Sequence, residues 1–352
     1  MTISTLSMIQ AQRMTAMKAQ EQLRDAQTEA ATSRYADVGK TLGYQTGQSV
    51  SFRVETTSIK SQVTTNGLIG QKLDSMQNVL DSIFKTAEAF KGNLIGAQQD
   101  KTSMAALVTE AKAGLDQLMS ALNTATGGQY LFSGTNASTA PMKSSNYQDS
   151  DGQTAAAQSL STFLAGPPTY TDLSEVPAAD LDAYIDGAFS ALFDTDPASP
   201  PTTGWTASWS SANDAATSNY INKTETIETS VSANLQAFKD LAKAYSMVAT
   251  LGSEKLTSEA KTTLTIKATK TLAVGSLGIT SIRTDLGLRQ QRLESANDRL
   301  GAQQAVVERS IGKLEQIDPY EASTRVTLLL NQINASYAIT AKIQQLSILN
   351  FI

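Results

Sequence analysis

The residue types on which most enzymes rely are missing from this chain. Its 352 residues include no cysteine and no histidine. This excludes disulfide bonds, thiolate or imidazole metal ligands, and the Ser-His-Asp and Cys-His catalytic groups. Carboxylates, lysines and hydroxyls remain for chemistry. We therefore expect a protein that is not an enzyme and that holds no catalytic site, no metal and no cofactor.

Two short motifs resemble ligand-binding loops, and each lacks a required residue. The tripeptide Gly-Lys-Thr at 39–41 matches the end of a phosphate-binding loop, but Arg34 stands where that loop requires its first glycine. The segment Asp-Ser-Asp-Gly at 149–152 is similar to a calcium loop. However, Gln158 occupies the position of the bidentate carboxylate. A phosphate site and a calcium site are thus both disfavoured.

Charge is distributed unevenly along the chain. Residues 144–222 contain ten carboxylates and no Lys or Arg, so this segment carries −10 while the whole chain carries −5. Such an asymmetry is typical of separate modules. Seven of the eight prolines also lie in or beside this segment, which predicts that long helices are interrupted there. The acidic balance argues against a nucleic-acid partner, because binding phosphates requires clustered Lys and Arg.

Outside that segment, apolar residues recur at the spacing of long helices. They alternate in steps of three and four from Ile69 to Ala97 and from Met104 to Ala125, and every seven residues from Leu272 to Leu314. This spacing keeps one apolar face on the inside of a coiled coil. We predict a rod of long antiparallel helices whose core contains Leu73, Leu80, Phe90, Leu115, Leu122, Leu286, Leu293, Leu300 and Leu314.

The two chain ends carry apolar patterns that a single helix pair does not satisfy. The N-terminal seven-residue repeat is rich in Ala, and the helix expected after Asp318 has two apolar stripes, which need two partners. We expect both ends to become ordered as a coiled coil only when copies of the chain polymerise. The predicted assembly residues are Ile9, Leu23, Val326, Leu329, Leu330, Ile333, Tyr337, Ile343 and Leu346.

Turn-rich segments separate the long helices. Glycines on either side of a short aromatic run predict a β-hairpin at 127–134, and residues 221–231 are a second candidate for strand structure. The acidic segment has weak periodicity, which suggests strands and loops with one short helix. The fold class is therefore mainly α with an α+β or β-rich insert. We expect an elongated antiparallel coiled-coil rod made from N- and C-terminal segments, with a central domain that projects outward.

Several short motifs occur in a recognisable order. They are SRYADVGK at 33–40, GQYLFSGT at 128–135, TSVSAN at 229–234, ASYA at 335–338 and LSIL at 346–349. As an ordered set they resemble the bacterial flagellin superfamily over residues 1–135 and 221–352. The GQYLFSGT segment is similar to that of the hook-filament junction branch, called hook-associated protein 3. The absence of Asn from residues 1–10 also favours that branch over filament subunits.

The resemblance implies a structural, axial component of the bacterial flagellum. It implies that the chain is the junction adaptor that joins hook-associated protein 1 to the flagellin filament. The implied partners are further copies of the chain, hook-associated protein 1, flagellin and an export chaperone. The alternatives are a flagellin filament subunit or, in a different class, a coiled-coil adhesin or ligand-binding module. It further implies extracellular location after type III export without a cleaved signal peptide. We expect no membrane insertion, since no apolar run is long enough to span one.

This interpretation divides the chain by function. It predicts an N-terminal polymerisation segment at 1–45, rod helices and a hairpin at 46–135, and a variable outer domain at 136–222. Returning rod helices follow at 223–317, and a C-terminal polymerisation helix at 318–352.

Overall fold

A computed structural model describes residues 5–98, 103–196 and 201–349 of the chain. In residues 5, 6, 8, 9 and 343–349 only the backbone is described. The α-helices are α1 (Thr5–Thr32), α2 (Val38–Leu42), α3 (Thr46–Ala97), α4 (Met104–Leu122), α5 (Asp151–Ala165), α6 (Ala178–Tyr184), α7 (Gly204–Ser208), α8 (Gln236–Leu251), α9 (Ser258–Glu315) and α10 (Pro319–Leu349). The strands are β1 (Ala125–Thr126), β2 (Gln129–Tyr130), β3 (Ser218–Tyr220) and β4 (Thr226–Glu228).

The described residues divide into two compact units. The first unit contains those of 1–63 and 298–352, and the second contains those of 64–297. Helices α3 and α9 each contribute residues to both units. The five functional segments inferred from the sequence concern assembly, and they stay a prediction.

In the first unit, α1 and α10 pack side by side and run antiparallel. Arg325 of α10 bonds to Glu29 near the end of α1, with an Nη1–Oε2 distance of 2.9 Å. Closer to the other end of the pair, the amide Nε2 of Gln20 donates to the hydroxyl of Tyr337 at 2.6 Å. The buried apolar residues of the two helices include Ala19, Ala26, Ala322, Leu329 and Ile333. Since Ala is small, the α1 seam lets the two backbones approach closely.

In the second unit, α8 packs closely against its neighbours because glycines leave room for its side chains. The ring of Tyr245 lies against Gly114 of α4, where an added Cβ would be 2.4 Å from Cε1. The same ring stacks on Phe90 of α3, with centroids 5.0 Å apart. Leu241 of α8 lies against Gly275 of α9, where a Cβ would be 2.7 Å from Cδ2. Side chains of α8 therefore contact α3, α4 and α9.

The structure buries most of the predicted core residues. Those less than 10% exposed are Leu73, Leu80, Phe90, Leu115, Leu122, Leu286, Leu293 and Leu300. Leu314 differs, because its side chain is only half-buried while the next residue, Glu315, is 1% exposed. The seven-residue repeat does not continue to its last predicted member. Arginines from two other segments neutralise Glu315, so a carboxylate can take the interior position there.

The insert at 136–222 is more helical than its sequence suggested. Its described residues form α5, α6 and α7, and its strand structure consists of β3 and a single bridge between Met142 and Ser210. Ser150 caps the N-terminus of α5, because its hydroxyl accepts a bond from the Gln153 amide at 3.0 Å. The short helices are held by a buried aromatic cluster of Tyr147, Tyr184, Phe189, Phe193, Trp205 and Trp209. Burial of these rings outweighs the weak local patterning of the Ser- and Thr-rich chain.

Both predicted hairpin regions form antiparallel strand pairs. Strands β1 and β2 are joined by Gly127 and Gly128, with φ values of 59° and 78°. Such positive values are what a two-residue hairpin turn requires. Strands β3 and β4 pair around residues 221–225. The first hairpin prediction is therefore confirmed, and the second segment contains one strand of a further hairpin.

Replacing Leu293 by Asp should strongly destabilise the second unit. Its side chain is 5% exposed, and a buried charge without a partner costs about 3 kcal/mol or more. Urea unfolding followed by circular dichroism measures this loss. Leu288→Asp on the same helix is the matched control, because Leu288 is 56% exposed. Equal losses in the two variants would contradict the assigned core.

Candidate assembly site

The first stripe of α10 is covered by the chain itself. Leu329 and Ile333 are 8% and 6% exposed, and Val326 beside them is half-buried. They lie in the helix that pairs with α1 in the first unit. The sequence assigns these three residues to contacts between copies, whereas in the structure the chain itself covers Leu329 and Ile333. The Ala-rich face of α1 already supplies one partner.

Two exposed apolar stripes remain on α10, one on each side of its buried face. Leu330 and Tyr337, seven residues apart, are 43% and 52% exposed. Leu328 and Ile339, eleven residues apart, are 64% and 46% exposed. Spacings of seven and eleven residues return to the same side of a helix. Helix α10 thus offers apolar surface in two further directions.

The outer face of α1 adds two exposed methionines. Met14 and Met17 are 73% and 65% exposed, whereas the predicted residue Leu23 is half-buried. The side chains of the predicted residues Ile9, Ile343 and Leu346 lie outside the described set. Of the residues predicted for assembly, Leu330 and Tyr337 are thus exposed, and the prediction did not include the exposed residues Leu328, Ile339 and the two methionines. Their spacing of three or eleven residues was a usable signal, since such residues share a helix face.

A buried carboxylate fixes the segment that follows α1. Glu315, at the end of α9, is 1% exposed. Its Oε2 accepts bonds from Arg34 Nη2 at 2.6 Å and from Arg53 Nη2. Its Oε1 accepts a bond from Arg53 Nε at 2.8 Å and another from the hydroxyl of Ser49. One carboxylate therefore joins α9, α3 and the chain just after α1.

Backbone bonds and a second carboxylate hold the same segment. The amide of Tyr35 donates to the carbonyl of Glu315 at 3.1 Å, and the amide of Ile317 donates to that of Ser33 at 3.2 Å. Glu29, 7% exposed, accepts a bond from the Ala36 amide at 3.2 Å. We call residues 33–37, held between Glu29 and Glu315, the clamped linker.

The bonds to Glu315 also favour its ionised form. Its hydrogen bond with Arg53 holds the pKa of the carboxyl below its ordinary value, against the opposing effect of burial. The same bond raises the pKa of Arg53. The group is therefore charged at neutral pH, as its interior position between two guanidinium groups requires.

In the second unit, two of the sequence motifs lie against each other. The amide of Ala233 donates to the carbonyl of Phe132 at 2.7 Å, and Ser133 forms an antiparallel bridge with Ser232. Beside this bridge Gly134 has a φ of 65°. A Cβ there would lie 2.0 Å from the carbonyl oxygen of Asn213. The motif therefore needs glycine at 134 for both conformation and space.

The motifs that resemble ligand sites are accounted for by the fold of the described residues. They contain no group of three or more carboxylates placed to hold a metal ion. The hydroxyl of Ser150, inside the calcium-like sequence, is engaged in starting α5. Trp205 and Trp209, buried and stacked with centroids 5.8 Å apart, belong to the insert's core. Among the described helices none is long and apolar enough to cross a membrane.

Two family models match the chain. The bacterial flagellin N-terminal helical region matches residues 3–137, and the bacterial flagellin C-terminal helical region matches residues 275–352. The chain belongs to the flagellin family. It is accordingly a structural, non-enzymatic component of the bacterial flagellum, the organelle of motility.

Two solved structures match this flagellin-family chain at low sequence identity. One is a protein of Vibrio parahaemolyticus described as a flagellar hook-associated protein. It is 13% identical, with a TM-score of 0.49, and the match covers 77% of this chain and 97% of that one. Another is FlgL of Bacillus cereus, also 13% identical, with a TM-score of 0.46 and coverage of 74% and 99%. A search of curated proteins gave no significant match.

Acidification should remove the stabilisation that Glu315 provides. A carboxylate whose pKa is lowered by folding stabilises the folded state above its unfolded pKa of about 4.3. That contribution disappears as the pH falls through the lower folded value. We expect the difference in unfolding free energy between the wild type and Glu315→Gln to shrink from pH 7 to pH 2. A difference that is constant with pH would contradict this role.

Replacing Gly134 by Ala should destabilise the contact between the two motifs. The change places a Cβ in a left-handed conformation and against a backbone carbonyl, so we expect a loss of more than about 1 kcal/mol. Thermal or urea unfolding measures it. Gly92→Ala is the control, because a Cβ at this position in α3 would meet nothing within 4 Å. Equal stability of the two variants would show that the strain at 134 is unimportant.

Proposed function

We propose that this chain is the junction adaptor that joins hook-associated protein 1 to the flagellin filament. We further propose that it assembles with copies of itself through the helices near its termini. The observation that supports this proposal is the pair of exposed apolar stripes on α10, at Leu330 with Tyr337 and at Leu328 with Ile339. They flank a face that the chain already covers.

The geometry of these stripes suits a closed ring or a helical tube. Full burial of a large apolar side chain contributes about 1.5–3 kcal/mol. These side chains are already about half-buried, so covering each one contributes about half of that to binding a neighbour. Two stripes on different sides of one helix allow one copy to contact two others. Contacts between unlike surfaces of identical copies generate rings or open helical assemblies.

Sequence features favour the junction adaptor over a filament subunit. The GQYLFSGT segment at 128–135 and the lack of Asn in residues 1–10 are the two that distinguish them. The close packing around Gly134 gives that segment a structural reason for its glycine. Hook-associated protein 1, flagellin and an export chaperone are the proposed partners.

Export through the flagellar type III apparatus follows from the proposed role. The chain would pass through a narrow channel unfolded, and a protein without cysteine forms no disulfide that could obstruct this passage. We propose that the segment directing export is N-terminal and is not cleaved. The assembled protein would then be extracellular, on the flagellum.

The location of the protein along the flagellum distinguishes a junction adaptor from a filament subunit. Antibody-labelled electron microscopy of flagella should show label confined to the region between hook and filament. Label along the whole filament would instead identify a filament subunit.

Deleting about 20 residues from either end should abolish assembly and motility. A deletion that leaves assembly intact and a ligand-binding activity in place would favour an adhesin or ligand-binding module.

Two adjacent leucines separate assembly from folding. Leu330→Asp should abolish self-association and leave the unfolding free energy nearly unchanged, because Leu330 is 43% exposed. Leu329→Asp should lower the unfolding free energy by about 2 kcal/mol or more, because Leu329 is 8% exposed. Sedimentation measures the first property and urea unfolding the second. Identical behaviour of the two variants would contradict the assignment of the stripes.

A further inference from the structure

Beside the clamped linker lies a cavity of about 350 Å³ with two arginines in its wall. Arg34 comes from the linker and Arg53 from α3, and both point their guanidinium groups at the carboxylate of Glu315. Their side chains are nonetheless 44% and 45% exposed. Each guanidinium is therefore anchored on one edge by Glu315 and open to solvent on another.

The two arginines have donors to spare. A guanidinium carries five N–H donors, and Glu315 engages Arg34 through Nη2 and Arg53 through Nε and Nη2. Within the part of the chain that the structure describes, Arg34 Nε, Arg34 Nη1 and Arg53 Nη1 make no hydrogen bond. These atoms can receive a further acceptor. Because Glu315 fixes both side chains, little rotamer freedom is lost when one binds.

The local charge also favours an anion. Two guanidinium groups face the single carboxylate of Glu315, which leaves one positive charge uncompensated. The other acid in the wall, Glu308, lies 3.6 Å from Lys60 Nζ and is thereby paired. A planar carboxylate that bridges the two guanidinium groups would match both the charge and the fork geometry of arginine.

We infer that this cavity is a recognition site for an acidic side chain of a second copy of the chain. The inference rests on the proposed self-assembly. The same unit supplies suitable acids: Glu21 on α1 and Asp298 on α9 are exposed. Neither has a hydrogen bond or an ion pair among the described residues. The contact would add a charge-selective element to the apolar stripes and fix how copies are oriented.

A double-mutant cycle in self-association tests this inference. Sedimentation equilibrium of the full chain should give a dissociation constant about two- to fivefold higher for Arg34→Gln than for the wild type. Either Glu21→Gln or Asp298→Asn should cause a similar rise. That carboxylate variant should add nothing further when combined with Arg34→Gln. Raising the salt concentration should reduce the difference in dissociation constant between the wild type and Arg34→Gln, because salt screens a half-exposed ion pair.

Controls separate this contact from folding and from the proposed function. Arg309→Gln should leave the dissociation constant unchanged, since Arg309 bonds to the Ala305 carbonyl of its own helix. Circular dichroism should show every variant fully folded at the temperature used. Two results would overturn this inference but not the proposed function. The first is a self-associating wild type whose dissociation constant is unchanged by Arg34→Gln. The second is an effect of Arg34→Gln that is fully additive with that of Glu21→Gln and with that of Asp298→Asn. A wild-type chain that never self-associates would overturn the proposed function together with it.

Discussion

A long helix with an apolar face is stable in water only when another helix covers that face, and this constraint organises the chain. N-terminal helices meet C-terminal helices in antiparallel contact within each unit: α1 packs on α10 in the first, and α3 meets α9 in the second. In the second unit this pairing is fixed by contacts such as that of Gln77 Nε2 with the Arg283 carbonyl, at 2.7 Å. Distant parts of the sequence are therefore needed for each other's stability.

Burial along the seven-residue repeat of α9 is not uniform, and the C-terminal end of this helix has a distinct role. Leu272 and Leu286 are fully buried, whereas Leu300 is 9% exposed and Leu314 is only half-buried. At the end of α9, where the apolar residues are less buried, Glu315 holds the clamped linker through charged hydrogen bonds. Such bonds are directional, so they fix the course of the chain between α1 and α2 in a way that apolar contact does not.

Periodicity in the sequence was enough to predict the long helices, since the spacing of apolar residues along one helix depends only on helix geometry. This holds for Leu73 in α3, for Leu122 in α4 and for Leu286 to Leu300 in α9. Periodicity could not predict that α1 would cover Leu329 and Ile333, because an Ala-rich pattern does not indicate how stably a helix packs against its partner. Nor could it predict the burial of Glu315, which depends on Arg34 and Arg53 arriving from other segments. The sequence predicted one short helix in the insert, whereas its described residues form α5, α6 and α7; the others were missed because the aromatic cluster that stabilises them is assembled from separate turns.

The acidic insert shows why charge counts along a sequence need a structure to interpret them. Within the second unit, several of its carboxylates face lysines of the C-terminal flank: Asp186 lies 2.6 Å from Lys267 of α9, and Asp172 lies 3.3 Å from Lys255 of the loop between α8 and α9. The hydrogen bond with Lys267 lowers the pKa of Asp186. Exposed pairs of this kind contribute little stability each. Their complementary placement on the two sides of one contact instead favours a single packing geometry, so the segment that lacks Lys and Arg lies against a flanking segment that supplies lysines.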